Sequence, residues 1–149
     1  MALLEEGVKA PAFTGVNEKD ESVSLKDFKG KKLVLYFYPK DNTPGCTAES
    51  CDLRDNYQTF LKKGYEVLGV SPDSVKSHVK FIAKFDLPFS LLADEDHSIA
   101  EAFGAWGEKS MYGRKYMGIL RSTFVIDEKG VIEKVIAKVD TKAHTKQLL

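Results

Sequence analysis

Residues Leu33-Val34-Leu35-Tyr36-Phe37-Tyr38 form an unbroken apolar and aromatic run. A strand with one wet face alternates polar and apolar side chains. A run without alternation reads instead as a strand buried on both faces, which requires layers packed above and below a sheet. The Lys29-Gly30-Lys31-Lys32 turn precedes the run and Pro39 stops it. Beyond Pro39 the hydrophobic period changes. From residue 43 to 63 the pattern is helical, with Thr43 as N-cap, Pro44 at the first helical position and Glu49 favouring the positive end. Leu53, Tyr57, Phe60 and Leu61 give this helix an apolar face, and Gly64 can end it.

Residues 65–70 read as a second strand. Ser71-Pro72-Asp73-Ser74 opens a helix through Phe85, with Val75, Val79 and Ile82 on its inner face. Residues 91–93 are a short strand piece, 94–103 a short helix, and 122–127 with 131–136 a hairpin turning at Asp127-Glu128-Lys129-Gly130. Residues 141–149 read as the start of a helix that stops in mid-pattern. Strands alternating with helices and closed by a hairpin predict an α/β fold with a mixed sheet, as a single domain over 1–149.

Charge narrows the function classes. With 22 basic and 22 acidic side chains, the formal net charge is +0. A general electrostatic grip on nucleic acid relies on excess positive charge, so no nucleic-acid partner is expected. No apolar run approaches the roughly 20 residues of a membrane span. The first residues have no basic flank before an apolar run, so the expected setting is cytoplasmic and reducing.

In such a setting the two cysteines, Cys46 and Cys51, point to catalysis or metal binding rather than to a staple. Cys46 falls in the first turn of the helix after the apolar strand, where a thiol most readily becomes a thiolate. On a straight helix, residues five apart have Cα atoms about 8–9 Å apart and point roughly 140° away from each other. A disulfide needs Cα atoms within about 7 Å. If Cys46 and Cys51 pair, a turn or more of helix must unravel. Three alternatives stand beside a redox pair. Both thiols could be small buried hydrophobes. A zinc site would need two of His78, His97 and His144, which lie far apart in sequence and read as surface residues. A thioredoxin-type oxidoreductase would use Cys-x-x-Cys, and the wider spacing here argues against it.

The string Pro39-x-x-x-Thr43-x-x-Cys46 resembles the active-site signature of peroxiredoxins. The longer string Phe37-Tyr38-Pro39-Lys40 through Thr43-Pro44-Gly45-Cys46-Thr47-x-Glu49-x-Cys51-x-x-Arg54-Asp55 is similar to the peroxiredoxin Q subgroup, also called bacterioferritin comigratory protein. Segments around Leu91-Leu92-Ala93-Asp94, Gly104-Ala105-Trp106-Gly107 and Gly118–Asp127 extend the likeness over nearly the whole chain. The resemblance implies a thioredoxin-like fold, a central mixed β-sheet flanked by helices with an N-terminal extension. It also implies thiol-dependent reduction of hydrogen peroxide and organic hydroperoxides. On this resemblance Cys46 is the peroxidatic and Cys51 the resolving cysteine, and the two form a redox-active disulfide. Thr43 and Arg121 bracket the peroxidatic sulfur, and Pro39 shields it. Recycling by thioredoxin or a similar dithiol is implied, with no metal and no cofactor. A monomer is expected, because the resolving cysteine lies in the same chain. A redox-sensing protein that reacts once rather than cycling is the reading from another class.

Overall fold

The computed structural model describes residues 3–149. The strands are β1 (Thr14–Asn17), β2 (Ser22–Ser24), β3 (Lys32–Phe37), β4 (Tyr65–Ser71), β5 (Ser90–Ala93), β6 (Trp106–Met111), β7 (Arg114–Ile119), β8 (Ser122–Ile126) and β9 (Ile132–Ile136). The helices are α1 (Pro44–Asp55), α2 (Tyr57–Lys62), α3 (Val75–Phe85), α4 (Ser98–Ala102) and α5 (His144–Leu148), with a short 3₁₀ turn at Leu25–Phe28.

Seven strands form one sheet in the order β2-β1-β5-β4-β3-β8-β9. The inner strands β3, β4 and β5 are parallel, and β8 and β9 continue the sheet antiparallel. The sheet is therefore mixed, as the sequence predicts. The apolar run occupies β3, and its two faces serve two cores. Leu33, Leu35 and Phe37 pack with Phe103, Phe124 and Ile132 on one side. Val34, Tyr36 and Tyr38 pack with Cys46, Leu53, Phe60, Phe81 and Leu148 on the other. Residues 33–38 are all buried, which is why this strand carries no polar alternation.

Gly69 of β4 makes room for this packing. A Cβ there would lie 2.6 Å from Leu91 Cδ2 and 2.8 Å from Tyr36 Cζ. The Tyr36 ring thus crosses β4 at its glycine, and its hydroxyl bonds Ser50 Oγ of α1 at 2.9 Å.

The structure departs from the predicted elements in four places. The helix expected over 43–63 is two helices, broken at Asn56 (φ −112°, ψ 8°). The Asn56 side chain donates to the Asp52 carbonyl at 2.8 Å, taking a bond that helix continuation would have used. Leu61, expected on the apolar face, is exposed. The inner face of α3 is carried by His78 and Phe81, and Val79 is exposed. The helix expected from residue 94 begins at Ser98, because the Asp94 carboxylate stays outside it and accepts from the Ile99 and Ala100 N–H groups at 3.0 Å each. Finally, the β1–β2 and β6–β7 hairpins go beyond the predicted strands; Trp106 and Tyr112 read from sequence as part of a glycine-rich loop, but the strands there pair fully from Trp106–Ile119 to Met111–Arg114.

Candidate active site

The site forms where β3 ends. Parallel pairing with β4 and antiparallel pairing with β8 continue to Phe37, which lies opposite Ser122. That register sets Arg121, the residue before β8, beside the segment leading from β3 into α1. Asn42 takes a left-handed conformation (φ 60°), Thr43 returns to extended backbone, and Pro44 opens α1. The Thr47 N–H to Thr43 carbonyl bond, 2.8 Å, closes the first turn. Cys46 lies within that turn, 1% exposed, and Cys51 lies further along the same helix, half-buried. Both thiols are free. An intact α1 thus spans both cysteines and holds them apart, as the spacing predicts.

Arg121 Nη2 donates to Cys46 Sγ at 3.1 Å. Its Nη1 donates to Glu49 Oε1 at 2.7 Å. One guanidinium therefore bridges the thiol and a carboxylate three residues further along α1, using the fixed fork of its donors. Burial works against the Arg121 charge, but Cys46 and Glu49 more than offset it, and its basicity is raised. Gly45 leaves space for this approach, since a Cβ there would lie 3.3 Å from Arg121 Nη2.

Thr43 occupies the N-cap position, yet its hydroxyl does not cap the helix. Thr43 Oγ1 donates to the Lys40 carbonyl at 2.9 Å. Its hydrogen is committed, and its oxygen is left to accept. Pro39 is half-buried in the same loop.

From sequence, two readings of Glu49 stand equally: a hydrogen bond near the active-site loop, which its bond to Arg121 matches, or a first-turn acid that stabilises the helix start, a place it does not take. It sits instead a turn further on, faces inward and is fully buried. Burial raises its pKa from 4.5 to about 7, against the opposing pull of Arg121. Among the described residues its Oε2 has no hydrogen-bond partner, and it faces His144 Nε2 of α5 at 3.6 Å. His144 Nδ1 bonds the Gln147 amide oxygen at 2.7 Å, and that oxygen also accepts from the Asp140 N–H. Nδ1 is therefore the donor, and Nε2 accepts from the Thr123 hydroxyl at 2.7 Å. Burial depresses the basicity of His144, in keeping with a neutral ring.

His144, expected at the surface, thus closes the inner side of the site, and His78 is likewise buried, in a different place. His97 stacks on Trp106 with ring centroids 3.7 Å apart. The histidines do not gather on the cysteines: among the described residues, the cluster of potential metal ligands is Asp41, Asp73 and His78. Of the aromatics in the segment that reads as a loop, Trp106 packs in this stack and Tyr112 is 98% exposed.

The AhpC/TSA family model matches residues 7–135. Peroxiredoxin Bcp of Bacillus subtilis is 49% identical over 146 residues, covering 98% of this chain and 93% of that protein. The chain belongs to the AhpC/TSA family, among its peroxiredoxins. Peroxiredoxin Bcp of Escherichia coli is 46% identical to this peroxiredoxin over 141 residues, covering 95% of this chain and 90% of that protein. Among solved structures, the bacterioferritin comigratory protein of Xanthomonas campestris, described for its alkyl peroxide reduction activity, superposes with a TM-score of 0.89 at 37% identity. It covers 97% of this peroxiredoxin and 94% of that chain. The thioredoxin-like fold of peroxiredoxins is the fold that the family resemblance implies.

Proposed function

We propose that this chain reduces hydrogen peroxide and organic hydroperoxides with Cys46. The observation that carries the proposal is the 3.1 Å contact of Arg121 Nη2 with a buried cysteine sulfur in the first turn of a helix. The same fork can hold the thiolate and then the oxygen that departs. The Thr43 oxygen accepts the hydrogen of the hydroperoxide, and Pro39 limits water at the sulfur.

In the first step the Cys46 thiolate attacks the terminal peroxide oxygen. An S–O bond forms, the O–O bond breaks, and the other oxygen leaves with a proton as water or alcohol, so sulfur is oxidised to sulfenic acid. Next α1 unravels, the Cys51 thiolate attacks the Cys46 sulfur, and water leaves as the disulfide forms. A dithiol protein, thioredoxin or one like it, then reduces that disulfide by exchange. A single cytoplasmic chain suffices for this cycle, because both cysteines lie on one helix.

A coupled peroxidase assay with wild type and Cys46→Ser tests the reading. Wild type should consume peroxide over many turnovers and Cys46→Ser none. Turnover by the variant, or a wild type that reacts once and stops in the presence of thioredoxin, would defeat it.

A further inference from the structure

The loop between β3 and α1 carries Pro39 and Thr43, and Asp41 anchors it through both its side chain and its backbone N–H. Asp41 is 7% exposed. Its Oδ1 accepts from the Tyr38 hydroxyl at 2.6 Å. Its Oδ2 accepts from the Ser77 hydroxyl at 2.7 Å and lies 2.8 Å from His78 Nδ1. The Asp41 N–H donates to Asp73 Oδ2 at 2.8 Å, and the Ser71 hydroxyl donates to that same oxygen at 2.6 Å. His78 is fully buried, and its Nε2 lies 2.9 Å from the Leu92 carbonyl oxygen. Both carboxylate oxygens of Asp41 and both ring nitrogens of His78 thus have protein partners, so the grouping reads as an anchor rather than as an empty cation site.

The hydrogen count defines the anchor further. A backbone carbonyl only accepts, so the hydrogen of that bond is on Nε2. Nδ1 faces a carboxylate oxygen, which is likewise an acceptor. His78 therefore spans two acceptors, one on β5 and one in the loop.

We propose that His78 is a positioning residue for peroxide reduction. Through Asp41 it ties the loop to α3 and β5, and so holds the Thr43 oxygen and the Pro39 ring in place while Cys46 attacks. The proposal rests on the peroxidase roles of Cys46, Thr43 and Pro39 given above.

The test uses the Cys51→Ser background, so that Cys46 is the single thiol. Two rates are measured: the single-turnover reaction with hydrogen peroxide, and alkylation by iodoacetamide. Alkylation needs the Cys46 thiolate but no acceptor for a peroxide hydrogen. His78→Leu removes both ring contacts and should slow the peroxide reaction by roughly 10- to 100-fold while alkylation stays close to its original rate. Asp41→Asn distinguishes anchoring from mere integrity of the fold. Its amide can donate to Nδ1 of His78, accept from Tyr38 and donate to a reoriented Ser77 hydroxyl, so the anchor survives. Asp41→Asn should therefore keep most of the peroxide rate, and Asp41→Ala should lose it as His78→Leu does. If His78→Leu does not fold, the contrast between Asp41→Asn and Asp41→Ala decides. An unchanged peroxide rate in His78→Leu, equal rates in the two Asp41 variants, or parallel loss of alkylation would overturn the proposal. A background protein that fails to react with peroxide at all sinks the peroxidase reading instead, which keeps the two failures distinct.

Discussion

Replacing Glu49 by Gln should stabilise the protein although it removes one half of an ion pair. Burial lifts the Glu49 carboxyl from 4.5 to about 7, which means that the folded chain binds this proton more tightly than the unfolded chain does. The associated stability is fully present below pH 4.5 and is lost as pH rises through about 7. At about 1.4 kcal/mol per pH unit, that gap makes ionised Glu49 cost about 3 kcal/mol relative to its protonated form. Gln resembles the protonated form: its amide oxygen still accepts from Arg121 Nη1, and its neutral NH₂ replaces the ionised Oε2 that lies 3.6 Å from His144 Nε2. Urea unfolding of wild type and Glu49→Gln at pH 8 and pH 4 measures this directly. The variant should be more stable by about 3 kcal/mol at pH 8, with most of the difference gone at pH 4. Peroxide reduction should fall in the same variant, because a neutral amide fixes the guanidinium less firmly, a gain in stability set against function. A variant less stable than wild type at pH 8, or a gain of equal size at both pH values, would refute the reasoning.

Cys51→Ser should still consume one equivalent of peroxide per chain and then recycle slowly with thioredoxin; mass spectrometry of oxidised wild type should show a Cys46–Cys51 link. Asp52→Ala removes the carboxylate that accepts from the Thr145 N–H at 2.7 Å and from its hydroxyl at 2.8 Å. The loss should be about 1 kcal/mol, read as faster amide hydrogen exchange across α5. Gly69→Ala places a methyl against Leu91 and Tyr36 and should lower stability by about 1–3 kcal/mol in thermal or urea unfolding.

What is legible in the sequence is local. The apolar run names a strand buried on both faces, and Thr-Pro-Gly-Cys names a helix start with a cysteine in its first turn. The spacing of Cys46 and Cys51 alone separates them along a helix. Arg121 is reached only through the family resemblance, because its closeness to Cys46 depends on the β3–β8 register across 75 residues of chain. His78 and His144 read as surface residues, since a buried histidine with two partners has the same local sequence as an exposed one. Hydrophobic periodicity puts Val79 inward for the same reason: it gives no weight to a polar side chain paired in the core. The β6–β7 hairpin is hidden because its glycines and charges mask a ladder that is largely exposed.

The break at Asn56 divides one helical segment into two shorter helices. Twelve residues of helix are marginal in water without tertiary contacts. If α1 opens as proposed, the interruption before Tyr57 should stop the opening at that joint and leave Phe60 seated in the core under α2. In the proposed cycle the joint acts as a firebreak. It confines each disordering event to one short cooperative unit, so the enzyme would pay for a few turns of helix at each turnover rather than for a layer of its fold.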